Sequence, residues 1–199
     1  MEGKKGVSKK VVIACIIIFI LVAGIVGAAF YIYFSSPAEV YQESLTGGSI
    51  SLTYSDDENL FAIESATPTS DIVGKAYDSA DLFFDFTVKV NVEEANVIEY
   101  EVLLVKDEEL STAMNDNIKI YLEKEESGSY VAVDDPKIFS SNVDDEKIGN
   151  SVMLVHKEKR TESGNDNYRL RMWVSDTANI TSGQLQNYAV KIALKGKAK

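Results

Sequence analysis

The side chains that could do chemistry in this sequence are an arginine–tryptophan stripe, one histidine and several carboxylate clusters. Arg169, Arg171 and Trp173 alternate along one predicted strand and therefore share a face of it. A guanidinium beside an indole ring can bind a carboxylate or a glycan. The same residues also serve structure, since an arginine stem covers an apolar ring and its head pairs with an acid on the next strand. We expect the structural role, with Glu99 or Glu101 as the partner.

His156 is the only histidine in the chain. Catalysis by a histidine needs a nucleophile and an orienting acid close to it. The sequence has no Gly-x-Ser-x-Gly motif that would supply a serine nucleophile. We therefore expect His156 to be a surface residue at the end of a strand, and we predict that the protein has no catalytic residues and is not an enzyme.

Carboxylates are clustered in several predicted turns. Calcium takes about six to eight oxygen ligands and often uses acidic loops, but no cluster here has the spacing of an EF-hand loop. Two facing acids can also hydrolyse a glycosidic bond, although any acidic domain offers such pairs by chance. We interpret the clusters as solvated turns, with weak calcium binding as the alternative, and we predict no resident metal or cofactor. The clusters are residues 56–58, 107–109, 134–135 and 144–146.

The composition narrows the class of protein further. The chain has 199 residues, one cysteine and one histidine, with 31 acidic and 20 basic side chains. A single cysteine excludes an internal disulfide, and one cysteine with one histidine is too few for the common zinc sites. The net charge of −11 argues against nucleic acid as a partner, because phosphates attract basic surfaces.

An apolar segment near the start of the chain predicts on which side of a membrane the rest of the chain lies. Residues 11–34 contain no charged side chain, and 15 of these 24 residues are Val, Ile, Leu or Phe. A helix of this length reaches about 36 Å, which is enough to cross a hydrocarbon core of about 30 Å. The lysine-rich segment 1–10 should stay in the cytoplasm. We predict a single-pass helix at 11–34 in the lipid bilayer, with the C-terminal domain outside the cell.

The alternative is a secretory signal sequence that is cleaved off. Gly27, Ala28 and Ala29 supply the small residues that a signal peptidase needs. The apolar stretch is longer than the roughly 7–15 residues usual for a signal, which favours retention as an anchor. Both interpretations export the part of the chain that holds 30 of the 31 acidic residues, since only Glu2 precedes it.

The exported part alternates apolar and polar residues with a period of two, which is typical of half-buried strands. We divide it into a linker at 35–48 and an extracellular domain at 49–199. Residues 60–82 are expected to be a long loop with a short helical turn, and 181–186 another short helical piece. About eight strands with polar turns predict an all-β fold, an antiparallel β-sandwich of jelly-roll or immunoglobulin-like type. The predicted strands are 50–54, 84–92, 98–105, 118–122, 130–133, 151–155, 168–174 and 188–195.

The order of these features resembles a known family, the exported β-sandwich proteins around camelysin and TasA, a bacterial biofilm-matrix fibre subunit. The residues that carry the likeness are 27–30, 48–52, Pro68, Gly74, Lys75, 84–88 and 95–96 with 100–102. The stretches 66–71 and 168–174 look more like uncharacterised exported proteins of Gram-positive bacteria. In TasA-like proteins the leader is removed and the mature N-terminal segment can complete the sheet of a neighbouring copy. The resemblance thus implies strand addition, with residues 30–54 as the candidate donor.

These observations predict a membrane-anchored or exported surface protein with a structural or adhesive role, such as a matrix or fibre subunit. Its expected partners are the lipid bilayer, other copies of itself, and other surface proteins or glycans. One alternative is a non-catalytic binding module of an envelope complex, or a membrane protein of a phage virion. A third, lower-ranked interpretation is a glycan-acting hydrolase. Lysines 191, 195, 197 and 199 are expected to pair with acids or to guard an edge strand.

Overall fold

The computed structural model describes residues 39–42, 48–54, 59–93, 96–145, 148–180 and 185–198. The predicted basic segment 1–10 and the predicted membrane or signal segment 11–34 lie outside these residues, so both stay predictions. Within the described ranges, no helix has the length and hydropathy that a membrane-spanning segment needs. Most of the helical piece expected at 181–186 also lies outside, and Gln186 begins a strand.

The described chain is mostly β-structure. The strands are β1 (Glu39–Gln42), β2 (Gly48–Tyr54), β3 (Leu60–Ala66), β4 (Pro68–Thr69), β5 (Phe83–Val92), β6 (Ile98–Lys106), β7 (Ile118–Glu126), β8 (Ser129–Ala132), β9 (Lys137–Ile138), β10 (Val143–Asp145), β11 (Gly149–Arg160), β12 (Gly164–Ser175) and β13 (Gln186–Ala198). The helical elements are α1 (Asp71–Lys75) and the 3-10 turns Ala80–Leu82 and Asn115–Asn117.

These strands form two mostly antiparallel sheets. Sheet A has the order β1-β13-β6-β11-β10, with β3 also beside β13, and sheet B has the order β2-β5-β12-β7-β8, with β4 beside β12 and β9 beside β7. Only the pairs β1·β13 and β4·β12 are parallel among the described strands. The long strands alternate between the sheets along the chain, so each connection between them crosses from one sheet to the other. The predicted all-β, antiparallel class is confirmed.

Period-two alternation determines which side chains enter the core between the sheets. In β5, Phe84, Phe86, Val88 and Val90 are buried while the residues between them face outward. Phe61 of sheet A stacks on Phe84 of sheet B, with ring centroids 5.8 Å apart, so side chains of both sheets share one core. Burying one such side chain contributes roughly 1.5–3 kcal/mol, which makes this core the main stabilising term.

One sequence expectation about local structure is wrong in part. The first part of the expected loop at 60–82 is strand β3, in which Phe61 and Ile63 are buried against the core. The segment 35–48, whose division from the domain as a linker stays a prediction, contains the short strand β1. Both strands show too few alternating apolar residues for period-two analysis to detect them. The short helical turn expected within 60–82 is present as α1.

Candidate functional site

Arg169 lies on the outer face of sheet B, where the register of β12 and β5 sets it opposite Asp85. Its Nε and Nη2 atoms each donate to an oxygen of Asp85 at 2.7 Å. The guanidinium carbon also lies 3.8 Å from the ring centroid of Phe83 and 4.3 Å from that of Tyr130. The hydrogen bonds to Asp85 raise the pKa of Arg169, so it stays a cation. The two guanidinium N–H groups that could bind a carboxylate ligand therefore already donate to a carboxylate of the same protein.

Arg171 and Trp173 continue this stripe but are buried. Arg171 Nη1 donates to Glu123 on β7, and its Nε donates to the backbone oxygen of Tyr77 at 2.7 Å. Trp173 is 1% exposed and meets the ring of Tyr121 edge-on, with centroids 6.4 Å apart. The arrangement fastens the segment around Tyr77 to sheet B. The side chains of the stripe therefore contact other groups of the same protein, and their structural role stays a prediction.

The arginine partners expected from the sequence are wrong. Glu99 and Glu101 lie on β6 in sheet A, where Lys197 Nζ is 3.5 Å from Glu99 and Lys157 Nζ is 2.6 Å from Glu101. Strand β12 instead lies between β5 and β7, and the arginines pair with acids on those two strands. Alternation in a sequence identifies the faces of a strand but not its neighbours.

The expectation that His156 ends a strand is also wrong. His156 lies within β11, its side chain is 17% exposed, and its Nε2 is 3.4 Å from an oxygen of Glu158. Its ring packs near Tyr168, with centroids 5.6 Å apart. Burial lowers the pKa of His156 despite the opposing effect of Glu158, so the ring is neutral at pH 7. The residues after His156 in this strand are all charged, so the second half of the strand has no apolar–polar alternation by which the sequence could predict it.

A group of phenolic and charged side chains, of which Tyr100, Asp166 and Tyr168 are buried, joins the two sheets beside His156. The hydroxyl of Tyr100 donates to Asp166 Oδ2 at 2.6 Å, and the hydroxyl oxygens of Tyr100 and Tyr168 are 2.7 Å apart. Asp166 is 3% exposed, and its Oδ1 lies 2.7 Å from Arg160 Nη1 and 3.1 Å from Lys124 Nζ. We term the group the interior polar cluster, which consists of Tyr100, Lys124, Glu158, Arg160, Asp166 and Tyr168.

The charges of the interior polar cluster compensate one another. Burial disfavours the charged form of Lys124, but its hydrogen bonds to Glu158 and Asp166 outweigh burial and raise its pKa. For Glu158, burial is likewise outweighed by Lys124, and the pKa is lowered. Burial raises the pKa of Tyr100 and Tyr168 well above the usual range, so both phenols stay protonated. The cluster is a polar link between the sheets.

Sequence reasoning missed this cluster because its members come from four different strands. The predicted strands 98–105 and 168–174 include Tyr100 and Tyr168, but the second of them begins after Asp166, which in fact lies near the beginning of β12. An acidic residue two positions before an inward tyrosine is the signal that could have revealed it, since both side chains point to the same face of a strand.

The two acidic clusters whose side chains are described, 107–109 and 134–135, form turns and ion pairs. Among the described residues, no three side chains of the His, Cys, Asp and Glu types are close enough together to hold a metal ion. Asp107 accepts the backbone N–H groups of Glu109 and Leu110 at 3.1 Å and lies 3.2 Å from Lys191 Nζ. Asp134 contacts Lys137. The side chains of clusters 56–58 and 144–146 lie outside the described part.

The edge of β13 is shared by two strands from the first part of the chain. On one side β13 pairs with β6 over residues 190–198. On the other side β3 pairs antiparallel with residues 186–191, and β1 pairs in parallel with residues 193–196. The strand β1 therefore covers backbone groups that β3 leaves uncovered. Without β1, the N–H and C=O groups of β13 on this side would be unpaired, and another chain could add a strand there.

Lysines surround two glutamates on the outer face of sheet A beside this edge. The register of the strands forms two rows across β11, β6 and β13, namely Lys157, Glu101 and Lys195, then Lys159, Glu99 and Lys197. We term these six residues the lysine ladder. It holds more cations than anions on a chain whose net charge is −11. The expected pairing of C-terminal lysines with acids is confirmed for Lys191 and Lys197, and Lys199 lies outside the described residues.

Comparisons with protein-family models, with curated proteins and with solved structures found no match to this chain. The resemblance to TasA-like proteins is therefore tested by none of them and stays a prediction from the sequence. The β13 edge and the surfaces beside it are the candidate functional site.

Proposed function

We propose that this protein is a structural or adhesive protein of the cell surface, anchored or exported through residues 11–34, whose strand β1 can join one copy to the next. The observation that supports the proposal is the pairing of β1 with residues 193–196 of β13. In the sequence, only residues 35–38 separate the apolar segment from β1. A copy fixed in a membrane would thus present β1 close to its anchor.

The β1 pairing is suited to exchange between copies. The same backbone groups of β13 can accept β1 of their own chain or β1 of a neighbour, because strand addition depends mainly on main-chain hydrogen bonds. A net contribution of about 0.5–1.5 kcal/mol for each hydrogen bond makes a four-residue strand a weak attachment. Exchange in one direction generates a head-to-tail contact, which extends into a filament when it does not close.

The charge distribution favours contact between copies. The lysine ladder lies beside the β13 edge, and the chain as a whole is acidic. An acidic surface of one copy is attracted to the lysine ladder of another, which speeds their encounter and aligns them. This attraction is screened by salt, since the Debye length falls from about 10 Å at 0.1 M to about 3 Å at 1 M.

Within this proposal the fold is of the jelly-roll type. An immunoglobulin-like sandwich pairs consecutive strands within one sheet. Here the long strands alternate between sheets A and B, which supports the jelly-roll alternative. The N-terminus is proposed to lie in the cytoplasm and the β domain outside the cell.

The test is disulfide trapping in the full chain after Cys15→Ser. Tyr41 and Lys195 are register partners between β1 and β13, so Tyr41→Cys and Lys195→Cys chains are made separately, given different tags and mixed in a membrane. Strand exchange predicts a disulfide that joins the two tags. Mixing Tyr41→Cys with Lys89→Cys, an exposed position on sheet B, measures random collision. The proposal is wrong if the mixed pair gives no more joined product than this control.

A further inference from the structure

An amine and a carboxylate lie side by side within the interior polar cluster. The register of β7 and β12 sets Lys124 opposite the buried Tyr168, so Lys124 and Asp166 both lie on the inner face of sheet B. Lys124 Nζ is 3.1 Å from Asp166 Oδ1, and the two side chains are 20% and 3% exposed. The two partners of an amide bond are therefore held together by the fold, with little water around the carboxylate.

Glu158, on β11 of the opposite sheet, contacts the same amine. Its Oε2 accepts a hydrogen bond from Lys124 Nζ. Although burial opposes it, the hydrogen bonds to Glu158 and Asp166 raise the pKa of Lys124, so the nitrogen is an ammonium and needs a base before it can attack. A carboxylate in contact with the ammonium can take a proton from it and later return that proton. Glu158 is in position to do both.

Two donors bind the oxygens of Asp166. The hydroxyl of Tyr100 donates to Oδ2 at 2.6 Å, and Arg160 Nη1 donates to Oδ1 at 2.7 Å. When a nitrogen attacks the carbon of a carboxyl group, negative charge develops on the oxygens, and donors that already contact them stabilise the transition state. Tyr100 and Arg160 therefore make the Cγ atom of Asp166 easier to attack.

An amide bond at this place would remove charge from the interior. The cluster holds two cations and two anions, namely Lys124, Arg160, Glu158 and Asp166. Taking charges out of water is unfavourable even when they are paired. Condensation of Lys124 with Asp166 gives a neutral amide and leaves one cation with one anion. The partly buried site therefore favours the amide over the ion pair more than water does.

We propose that Lys124 and Asp166 form an intramolecular amide bond, an isopeptide cross-link, in the folded domain. Glu158 takes a proton from the Lys124 ammonium, and the freed nitrogen attacks Cγ of Asp166. The new C–N bond forms and one C–O bond of Asp166 breaks. The departing oxygen receives two of the three ammonium protons through Glu158 and leaves as water. Atoms and charges balance within the cluster, and Glu158 ends as a carboxylate.

The cross-link joins two neighbouring strands of sheet B. Lys124 and Asp166 are on β7 and β12, which pair antiparallel. With the bond in place, these strands cannot be pulled fully apart without breaking a covalent bond. The inference goes beyond strand exchange, because the bond lies inside one copy and does not involve the β13 edge. It can therefore be tested independently of any contact between copies.

The first test is the intact mass of the full chain, purified in detergent and measured under denaturing conditions. A protease digest of the same sample gives its N-terminus, so that removal of a leader is not mistaken for a link. We expect a mass lower by one water molecule than the sequence requires, and one branched peptide that joins Lys124 to Asp166. A chain of full mass, or a link from Lys124 to Glu158 instead, overturns the proposal.

Variants assign the reaction to these side chains. Lys124→Arg keeps a cation that does not condense with a carboxylate, so the branched peptide and the loss of water should both disappear. Glu158→Gln removes the base and should slow the reaction about a hundredfold or more, so that most freshly purified chains keep the full mass. Circular dichroism confirms that each variant is folded.

The matched control is Lys157→Arg. Lys157 precedes Glu158 in β11 and lies 2.6 Å from Glu101, but its side chain is 65% exposed, so water keeps this pair charged. This variant should be linked as fully as the parent. Loss of the link in folded Lys157→Arg, or equal linkage of the parent and folded Glu158→Gln chains, overturns the mechanism proposed for the interior polar cluster.

Discussion

Gly74 of α1 lies against the indole ring of Trp173 on sheet B. A Cβ atom placed on Gly74 would be 2.5 Å from Cε2 and 2.6 Å from Cε3 of that ring, closer than side chains pack. The backbone of α1 therefore rests directly on the ring, which is possible only because residue 74 has no side chain. This contact attaches α1 to β12.

The substitution Gly74→Ala separates two opposing effects. Helix propensity alone would stabilise the protein by roughly 0.5–1 kcal/mol. Overpacking against Trp173 should instead destabilise it by about 1–3 kcal/mol, and we expect this effect to dominate. Urea unfolding followed by the emission of Trp173 measures the difference. Val73→Ala, at a position 51% exposed, is the matched control and should change stability by less than about 0.5 kcal/mol. A more stable Gly74→Ala chain would show that the contact is absent.

The interior polar cluster should be sensitive to the loss of single groups. Tyr100→Phe removes the donor to Asp166 inside the core, and we expect a loss of about 1–3 kcal/mol in the free energy of unfolding. Asp166→Ala should cost more, about 3–5 kcal/mol, because Lys124 and Arg160 then lose their buried partner. Chemical denaturation of each variant measures these losses.

The control for this prediction is Thr53→Val. Thr53 is an exposed residue on the outer face of β2, with a single long hydrogen bond of 3.5 Å to Thr87. Its replacement should leave the free energy of unfolding nearly unchanged. If Tyr100→Phe is as mild as Thr53→Val, the phenol does not link the sheets.

The stability of the domain should fall on mild acidification because of His156. Burial lowers the pKa of His156 below its ordinary value of 6.5, so the unfolded chain binds this proton more tightly than the folded chain. The contribution of His156 is complete above pH 6.5 and is lost as the pH falls through the lowered pKa. Urea midpoints at about pH 7.5 and about pH 5.5 measure the effect.

A matched variant assigns this pH dependence to one side chain. His156 is the only histidine in the chain, so His156→Gln should make the midpoints at the two pH values nearly equal. Glu158 lies 3.4 Å away and favours the protonated ring, in opposition to burial. A parent protein that became more stable on acidification would mean that Glu158, and not burial, controls the histidine.

Strand faces were predictable from the sequence, and strand neighbours were not. Alternation within the predicted strands 84–92 and 98–105 gives each an apolar face, on which Phe86 and Tyr100 are 2% and 0% exposed, because alternation reflects the burial of one face directly. The partners of Arg169 depend on β5 and β12 being adjacent, and this follows from three-dimensional packing. The spacing of Asp166 and Tyr168 indicates a shared strand face, but the cations on other strands that compensate the buried acid follow only from the packing of the strands.

The β13 edge gives the last prediction, which uses proline at two consecutive positions of β1. Neighbouring residues of a strand direct their backbone N–H groups to opposite sides, and proline has no N–H to donate. Val40 and Tyr41 lie beside Leu194 and Lys195 in the parallel register. Only one of these two residues can direct its N–H toward β13. We therefore expect one of Val40→Pro and Tyr41→Pro to release β1 and the other to be better tolerated.

Hydrogen exchange of a peptide that covers residues 193–196 measures this release in the full chain. The more disruptive proline should speed exchange there, because the amides that β1 covers become open to water. Exchange in β5 serves as the internal control, since β5 pairs with β2 and β12 in the other sheet. Equal and unchanged exchange in both variants would mean that β1 does not protect this edge. A released edge that also increases cross-linking between copies would connect the local opening of β13 with strand exchange, because both follow from the same uncovered backbone.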